Sequence, residues 1–142
     1  MEAPKYYIAF LTSGASRNLV SYYNRVLAPM GLTAQQAMAL GVLYQEPDLS
    51  LGVVAQRLGI GKAAAVTMIK RLETMGYVTR EEHPRDGRLN RINLTEKAMA
   101  MAPDVIKKVQ ALERTVEEAV GVDSLNSLIE TLMVIRDLDL KP

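Results

Sequence analysis

The sequence predicts a mainly α-helical protein with a small β-hairpin wing, in which a winged helix-turn-helix is flanked by N- and C-terminal dimerisation helices. Three features predict this architecture. Two short helical segments are separated by a turn containing Gly59 and Gly61, a basic pair of strands follows, and long amphipathic segments lie on both sides. Such a centre suits a DNA duplex, because one helix fits the major groove while the hairpin tip reaches the minor groove.

The first two helices are predicted from proline positions and a cap. Pro4 suits the first turn of a helix that ends near Pro29. One face of this helix is apolar at spacings of three and four residues: Ile8, Leu11, Ala15, Leu19, Tyr22 and Val26. Thr33 predicts the N-cap of a second, buried helix, with Gln36 as its capping-box partner, and Pro47 marks its end.

The helix-turn-helix is predicted from Ser50 onward. Ser50 caps a third helix that ends at Gly59, and a fourth helix runs from Gly61 to Gly76. One face of the fourth helix carries a set of residues suited to a core: Ala65, Met68, Ile69 and Leu72. The remaining face is left for another molecule.

The wing and the last two helices follow. Strands are predicted at residues 77–80 and 89–94, and Asp86-Gly87 between them suits a tight turn. Thr95 caps a long helix to about Val120, which Pro103 should kink or break. A final helix after Gly121 has an apolar stripe: Leu125, Leu128, Ile129, Leu132, Ile135 and Leu138.

We expect a single domain over residues 1–142. In it, residues 1–30 and 96–142 form a helical dimerisation region, and residues 33–95 form the DNA-binding lobe. The terminal stripes are too apolar to stand alone in water, so they pack on a second chain or, alternatively, on each other within a monomer. A twofold dimer would place two recognition helices about 34 Å apart on a pseudo-palindromic operator.

Composition limits the other possibilities. The chain has 142 residues, no cysteine and one histidine, which excludes disulfides, thiol-based redox sensing and a Cys/His metal site. We expect no cofactor. The N-terminus lacks a signal-peptide pattern, and no stretch approaches the about 20 apolar residues that span a bilayer. A cytoplasmic location without membrane association is therefore expected.

Positive charge is concentrated in the predicted DNA-binding segment. Residues 51–95 contain eight basic and four acidic residues, a net charge of +4, while the rest of the chain contains nine basic and twelve acidic residues, a net charge of −3. Basic side chains neutralise phosphates and release counterions, so this division favours nucleic acid as the partner.

The sequence resembles the MarR (multiple antibiotic resistance regulator) family of winged helix-turn-helix transcription regulators. The wing motif is Asp86-Gly87-Arg88 followed by Leu94-Thr95. Further matches are Gly31-Leu32-Thr33, Leu58-Gly59-Ile60 and the run from Arg71 to Arg80. The resemblance implies a non-enzymatic, sequence-specific DNA-binding regulator, a homodimeric repressor that is relieved by a small aromatic or phenolic ligand.

The resemblance also implies which residues contact DNA. Ser50 would offer its backbone amide and hydroxyl to a phosphate, and Arg88 would reach the minor groove, steadied by Asp86. The set facing the major groove is Lys62, Ala63, Ala64, Val66, Thr67 and Lys70, with Arg71, Arg85 and Arg91 completing the candidates. Alanines stand where such regulators often carry hydrogen-bonding residues, so base discrimination is expected to be modest.

Other interpretations of the residues remain open. An aromatic anion would find Ser13, Arg17 and Tyr22 on the first helix, although the tyrosines there equally suit a dimer interface. Catalysis is not expected, because neither a P-loop nor a nucleophile–histidine–acid arrangement is present. A winged-helix protein-interaction module and a nonspecific architectural DNA-binding protein are the alternatives to a regulator.

Overall fold

The computed structural model describes residues 7–82 and 90–142. Its helices and strands in chain order are α1 (Ile8–Leu27), a 3-10 turn (Ala28–Met30), α2 (Ala34–Gln45), β1 (Leu49–Ser50), α3 (Leu51–Leu58), α4 (Lys62–Thr74), β2 (Val78–Glu82), β3 (Asn90–Leu94), α5 (Glu96–Val120) and α6 (Val122–Asp137). The predicted class, mainly α with a small antiparallel sheet, is confirmed. The predicted wing tip, with Arg85, Asp86 and Arg88, lies outside the described residues.

The chain divides into two compact units, Met1–Ile106 and Lys107–Pro142. In the first unit α2 packs against α1, α3 and β3, and α3 packs against α4. The largest fully buried side chains of this unit are Leu27, Leu43, Val54, Ile69, Leu72 and Ile92. These residues come from five different elements, so one core holds the helix-turn-helix and the sheet together.

The predicted caps are confirmed. Thr33 accepts a hydrogen bond from the backbone N–H of Gln36, whose side chain in turn accepts from the Thr33 N–H. Ser50 accepts from the N–H of Val53 at the start of α3. Gly59 ends α3 with φ of +64°, a left-handed conformation that glycine adopts without a steric cost.

The sheet has one strand more than the sequence predicts. Its order is β1–β3–β2, with Leu49 opposite Ile92 and Ser50 opposite Arg91. A strand of two residues carries no periodicity, and its partner is more than 40 residues away in the chain, so local pattern does not predict β1. This pairing joins the start of α3 directly to the wing.

Pro103 does not break α5. The sequence predicts a kink or a break at this exposed proline; the helix continues on both sides of it, so a break is wrong. The proline removes one backbone hydrogen bond, but Ala98, Ala102 and Val105 are buried before and after it and hold the helix on the core.

The second unit contains the end of α5 and all of α6. Gly121 separates the two helices at φ of +88°, as predicted, and Leu112 and Leu125 are buried. Most of the predicted apolar stripe of α6 is exposed: Leu128, Ile129, Leu132 and Leu138.

Within residues 7–82 and 90–142, no single helix is long and apolar enough to cross a bilayer. One pair of segments, Ile8–Met30 with Ala34–Gln45, has the length and apolar composition together but is bent by 77°.

We predict that Asn24→Ala lowers the free energy of unfolding by about 1–3 kcal/mol, because it leaves a buried donor without a partner. The side-chain oxygen of Asn24 in α1 accepts the N–H of Ala34 at 2.7 Å, and Ala34 is 2% exposed. Urea unfolding measures the change. Asn18→Ala, an exposed position of the same helix, is the matched control and should have little effect. Equal stabilities of the two variants would contradict the proposed role of Asn24.

Candidate nucleic-acid interface

The packing of α4 determines which of its side chains face outward. Ala65, Met68, Ile69 and Leu72 are buried, as the periodicity predicts. The exposed residues of α4 are Lys62, Ala63, Ala64, Thr67, Lys70, Arg71, Glu73 and Thr74, and Val66 is half-buried. Every α4 residue that the sequence assigns to DNA therefore lies on the side left uncovered, with Val66 at its edge.

The cations of this face have no partner among residues 7–82 and 90–142. Within the part of the chain that the structure describes, the side chains of Lys62, Lys70 and Arg71 have no hydrogen bond and no ion pair. By contrast, Arg57 forms two hydrogen bonds to Glu46 at 2.8 and 3.1 Å, and Arg80 pairs with Glu73 at 3.4 Å. Lys62, Lys70 and Arg71 can therefore approach a polyanion without breaking an interaction with any described residue.

The pair between Arg57 and Glu46 fastens α3 to the end of α2. The hydrogen bond from Arg57 holds the pKa of Glu46 below its ordinary value. The contribution of the pair to stability is therefore present at neutral pH and is lost as the pH falls through this lowered pKa. Both side chains are exposed, so the pair orients the helices more than it stabilises them.

Some hydrogen-bond donors at the start of α3 and α4 have no acceptor among the described residues. Gly61 caps α4 without a side chain, so no side chain meets the first N–H groups of this helix. The Ser50 oxygen accepts from Val53 at 3.4 Å, while its own hydroxyl hydrogen has no acceptor among the described residues. Free donors at helix N-termini attract phosphate oxygens.

The hydroxyl hydrogen of Thr67 is already engaged in a hydrogen bond within α4. Its hydroxyl donates to the carbonyl of Ala63 at 3.2 Å, one turn earlier in α4. What remains available to another molecule is its methyl group and the lone pairs of its oxygen.

A network around Asp48 fixes the base of the wing. The N–H of Asp48 donates to the Asn93 side-chain oxygen at 2.7 Å, and the Asn93 amide donates back to the Asp48 carboxylate at 3.3 Å. Arg91 donates to the Asp48 carbonyl at 3.2 Å. Asp48 has φ of +62°, a left-handed conformation that aspartate tolerates better than most residues. The loop before α3 is thereby held on β3.

A cavity of about 470 Å³ lies between α1, the start of α2 and α4. Its apolar lining includes Val20, Ala64 and Met68, and its polar lining includes Asn24 and Arg71. A shallower groove along α1 shares Val20 and Asn24 with it and contains Arg17 and Arg25. An apolar wall next to a free guanidinium suits a small organic anion.

Comparison with known proteins agrees with this geometry. A model of the MarR family matches residues 30–89. The organic hydroperoxide resistance transcriptional regulator of Bacillus subtilis is 27% identical over 88% of this chain and 88% of its own. TtmR, an HTH-type transcriptional regulator of Methylorubrum extorquens, is 30% identical over 92% of this chain and 66% of its own. The chain belongs to the MarR family.

A solved MarR-like structure extends the match to three dimensions. The transcriptional repressor CouR, bound to a 23-mer DNA duplex, has a TM-score of 0.83 at 27% identity, over 91% of this chain and 92% of the CouR chain. As a MarR-family member, the protein is a DNA-binding transcriptional regulator and not an enzyme. Across residues 7–82 and 90–142, no group of three or more metal-binding side chains is present.

The structure of this MarR-family chain brings some predicted site residues together and separates others. Ser13 and Arg17 meet, with the guanidinium donating to the Ser13 hydroxyl at 2.7 Å. Tyr22 is not part of that contact, and its ring packs edge-on against Tyr23 at 6.2 Å. Sequence reasoning missed the cavity at Arg71, because α1, α2 and α4 are far apart in the chain.

Asp48 and Asn93 were also missed, and the sequence offers only a weak signal for them. An aspartate directly after Pro47 indicates a turn, but nothing local indicates that its partner lies on β3. Arg91, assigned to DNA from the sequence, belongs to this network and lies at the base of the wing.

We predict that Asp48→Ala lowers the free energy of unfolding of this MarR-family protein by about 1–2 kcal/mol more than Asp48→Asn does, because alanine bears the full steric cost of the left-handed conformation. Asparagine tolerates that conformation and keeps an oxygen for the Asn93 amide. Urea unfolding of the two variants measures the difference. Equal losses of stability would contradict the importance of this backbone conformation.

Proposed function

We propose that this MarR-family regulator is a homodimeric repressor that occupies a pseudo-palindromic operator and leaves it when a small aromatic anion binds. The observation that carries the proposal is the outward face of α4, which holds Lys62, Lys70 and Arg71, unpaired among the described residues, beside a cavity of ligand size.

The proposed DNA contacts combine α4 with the wing. Lys62, Lys70 and Arg71 are exposed on α4 and neutralise phosphates or donate to bases. The hydroxyl of Ser50 and the first backbone N–H groups of α4 donate to the phosphate backbone of the DNA. The wing contribution rests on the sequence alone, with Arg88 and Arg85 in the minor groove and Asp86 steadying them. The binding of a 23-mer DNA duplex by CouR supports duplex DNA as the partner.

Exposed apolar residues at both ends of the chain support the proposed dimer. At the start of α1, Tyr7, Ile8, Phe10 and Leu11 are between 56 and 74% exposed. In the second unit α6 exposes a further set: Leu128, Ile129, Leu132, Met133 and Val134. Patches of this kind need a cover in water, and a second copy of the chain supplies one with twofold symmetry.

The proposed effector site is the cavity beside α4. Arg71 would receive the carboxylate, while Val20, Ala64 and Met68 contact the ring. Because Arg71 is also a proposed phosphate ligand, its side chain would bind either the effector or DNA, but not both at once. Effector and operator are then mutually exclusive, which is reciprocal coupling between two ligands. The earlier candidates Ser13, Arg17 and Tyr22 provide an alternative site on α1.

The effector is not sensed by a thiol. The Bacillus subtilis relative is named for organic hydroperoxide resistance, whereas this chain contains no cysteine. Oxidation of a cysteine is therefore not available as a signal, which supports reversible binding of a small molecule.

We predict that Lys70→Gln and Arg71→Gln each weaken operator binding and flatten the plot of log affinity against log salt by about one unit, because each removes one phosphate contact. Fluorescence anisotropy with duplexes selected from a random pool measures both quantities. Lys107→Gln, an exposed lysine of α5, is the control and should leave the slope unchanged. A chain that binds no duplex even at low salt would instead be a protein-interaction module, and equal affinity for all duplexes would indicate an architectural protein.

We predict that salicylate, as a simple aromatic acid, binds the free protein and releases the operator. Calorimetry should show that salicylate binds to the unsubstituted chain and to Arg17→Gln. Binding should be lost in Arg71→Gln, because the guanidinium of Arg71 receives the carboxylate in the cavity. The opposite pattern would place the effector on α1 beside Ser13. Absence of binding across a broad panel of aromatic acids would overturn the effector part of the proposal.

A further inference from the structure

After Lys62, the first two turns of α4 present mainly methyl groups outward. Ala63 and Ala64 are exposed there, and residues 63–69 contain no arginine, lysine, asparagine or glutamine. The side chains that recognise guanine or adenine through paired hydrogen bonds are therefore absent from residues 63–69. A helix with this face can still discriminate between bases if it uses the apolar group that one base carries.

Thymine is that base. Its C5-methyl group projects into the major groove, and the adenine of the same pair presents the N6 amino donor there. The methyl groups of Ala63 and Ala64 can pack on such methyls. Thr67 adds a further methyl and, because its hydroxyl already donates to the Ala63 carbonyl, an oxygen that can only accept. An acceptor matches adenine N6 and rejects the acceptor edge of guanine.

We infer that α4 of this regulator recognises T·A base pairs through their thymine methyl groups, with Ala63, Ala64 and Thr67 as the specificity-determining residues. The inference rests on the proposed function, in which α4 lies in the major groove. Ala63 and Thr67 are one turn apart, about 6 Å along the helix axis, which is close to two base-pair steps of about 3.4 Å. Each operator half-site should therefore contain T·A pairs at two positions about two steps apart.

Lys62 and Lys70 have a different role in this scheme. They are exposed on either side of the methyl-bearing turns, and their side chains have no partner among the described residues. As flexible point charges they strengthen binding to any duplex. Affinity then comes mainly from the cations, and sequence preference comes mainly from the methyl groups between them.

Replacement of thymine by deoxyuridine in the half-site tests the inference, because it removes the methyl group and leaves base pairing and all hydrogen-bonding groups intact. Duplexes are first selected from a random pool with the full chain, and each T in the half-site is then replaced singly. Loss of each contacted methyl should weaken binding about fourfold, the effect of exposing one buried methyl group. Replacement of T outside the half-sites is the control.

Two matched variants assign the effect to Thr67. Thr67→Ser removes the side-chain methyl and keeps the hydroxyl, so one deoxyuridine position should lose its effect. Thr67→Val keeps a methyl and removes the hydroxyl, so that position should remain sensitive. Because Thr67 is exposed, both variants should fold, which thermal unfolding verifies.

The outcomes separate this inference from the proposed function. A chain that binds no duplex overturns both. Selected half-sites without T·A pairs, or deoxyuridine duplexes bound within about 1.5-fold of the thymine duplexes, the error of such titrations, overturn the inference and leave the regulator intact. Equal deoxyuridine sensitivity in Thr67→Ser and Thr67→Val overturns the role of Thr67.

Discussion

Burial of the inner face of α4 constrains everything that the protein can present to DNA. Ala65, Met68, Ile69 and Leu72 pack into the core, and the 3.6-residue period then sets which positions point away from it. On that outer side, Lys70 and Arg71 form no ion pair with any residue that the structure describes. The cations, the methyl groups of the first two turns and the wall of the cavity all follow from this one packing arrangement.

The sheet determines the position of the wing strands β2 and β3 relative to α4. Ile92 of β3 is fully buried, β1 ties the start of α3 to β3, and Arg80 of β2 pairs with Glu73 of α4. With Asp48 and Asn93 fastening the loop before α3, the helix-turn-helix and the base of the wing share one set of contacts. A rigid base matters because two contact points fix a duplex only if the spacing between them is fixed.

The features that the sequence predicted correctly depend on neighbouring residues. The caps at Thr33 and Ser50 and the left-handed Gly59 are local in this sense, and so is the buried face of α4. The features that it missed join distant segments: β1 with β3, Asp48 with Asn93, and the cavity between α1, α2 and α4. The local effect of proline also predicted a kink or a break at Pro103. That prediction does not take account of the buried residues that hold α5 on both sides of the proline.

In the proposed function the outward face of α4 touches bases in the major groove, and the absence of cysteine allows a direct measurement. A single cysteine introduced by Ala63→Cys and carrying a photo-cross-linker labels one known point of α4. Adducts with bases are expected at two positions related by twofold symmetry, about one helical turn of DNA apart. The same label introduced by Ser127→Cys, at an exposed position of α6, should give none. Adducts from Ser127→Cys at equal yield, or no adduct from Ala63→Cys on a bound duplex, would contradict this role of α4.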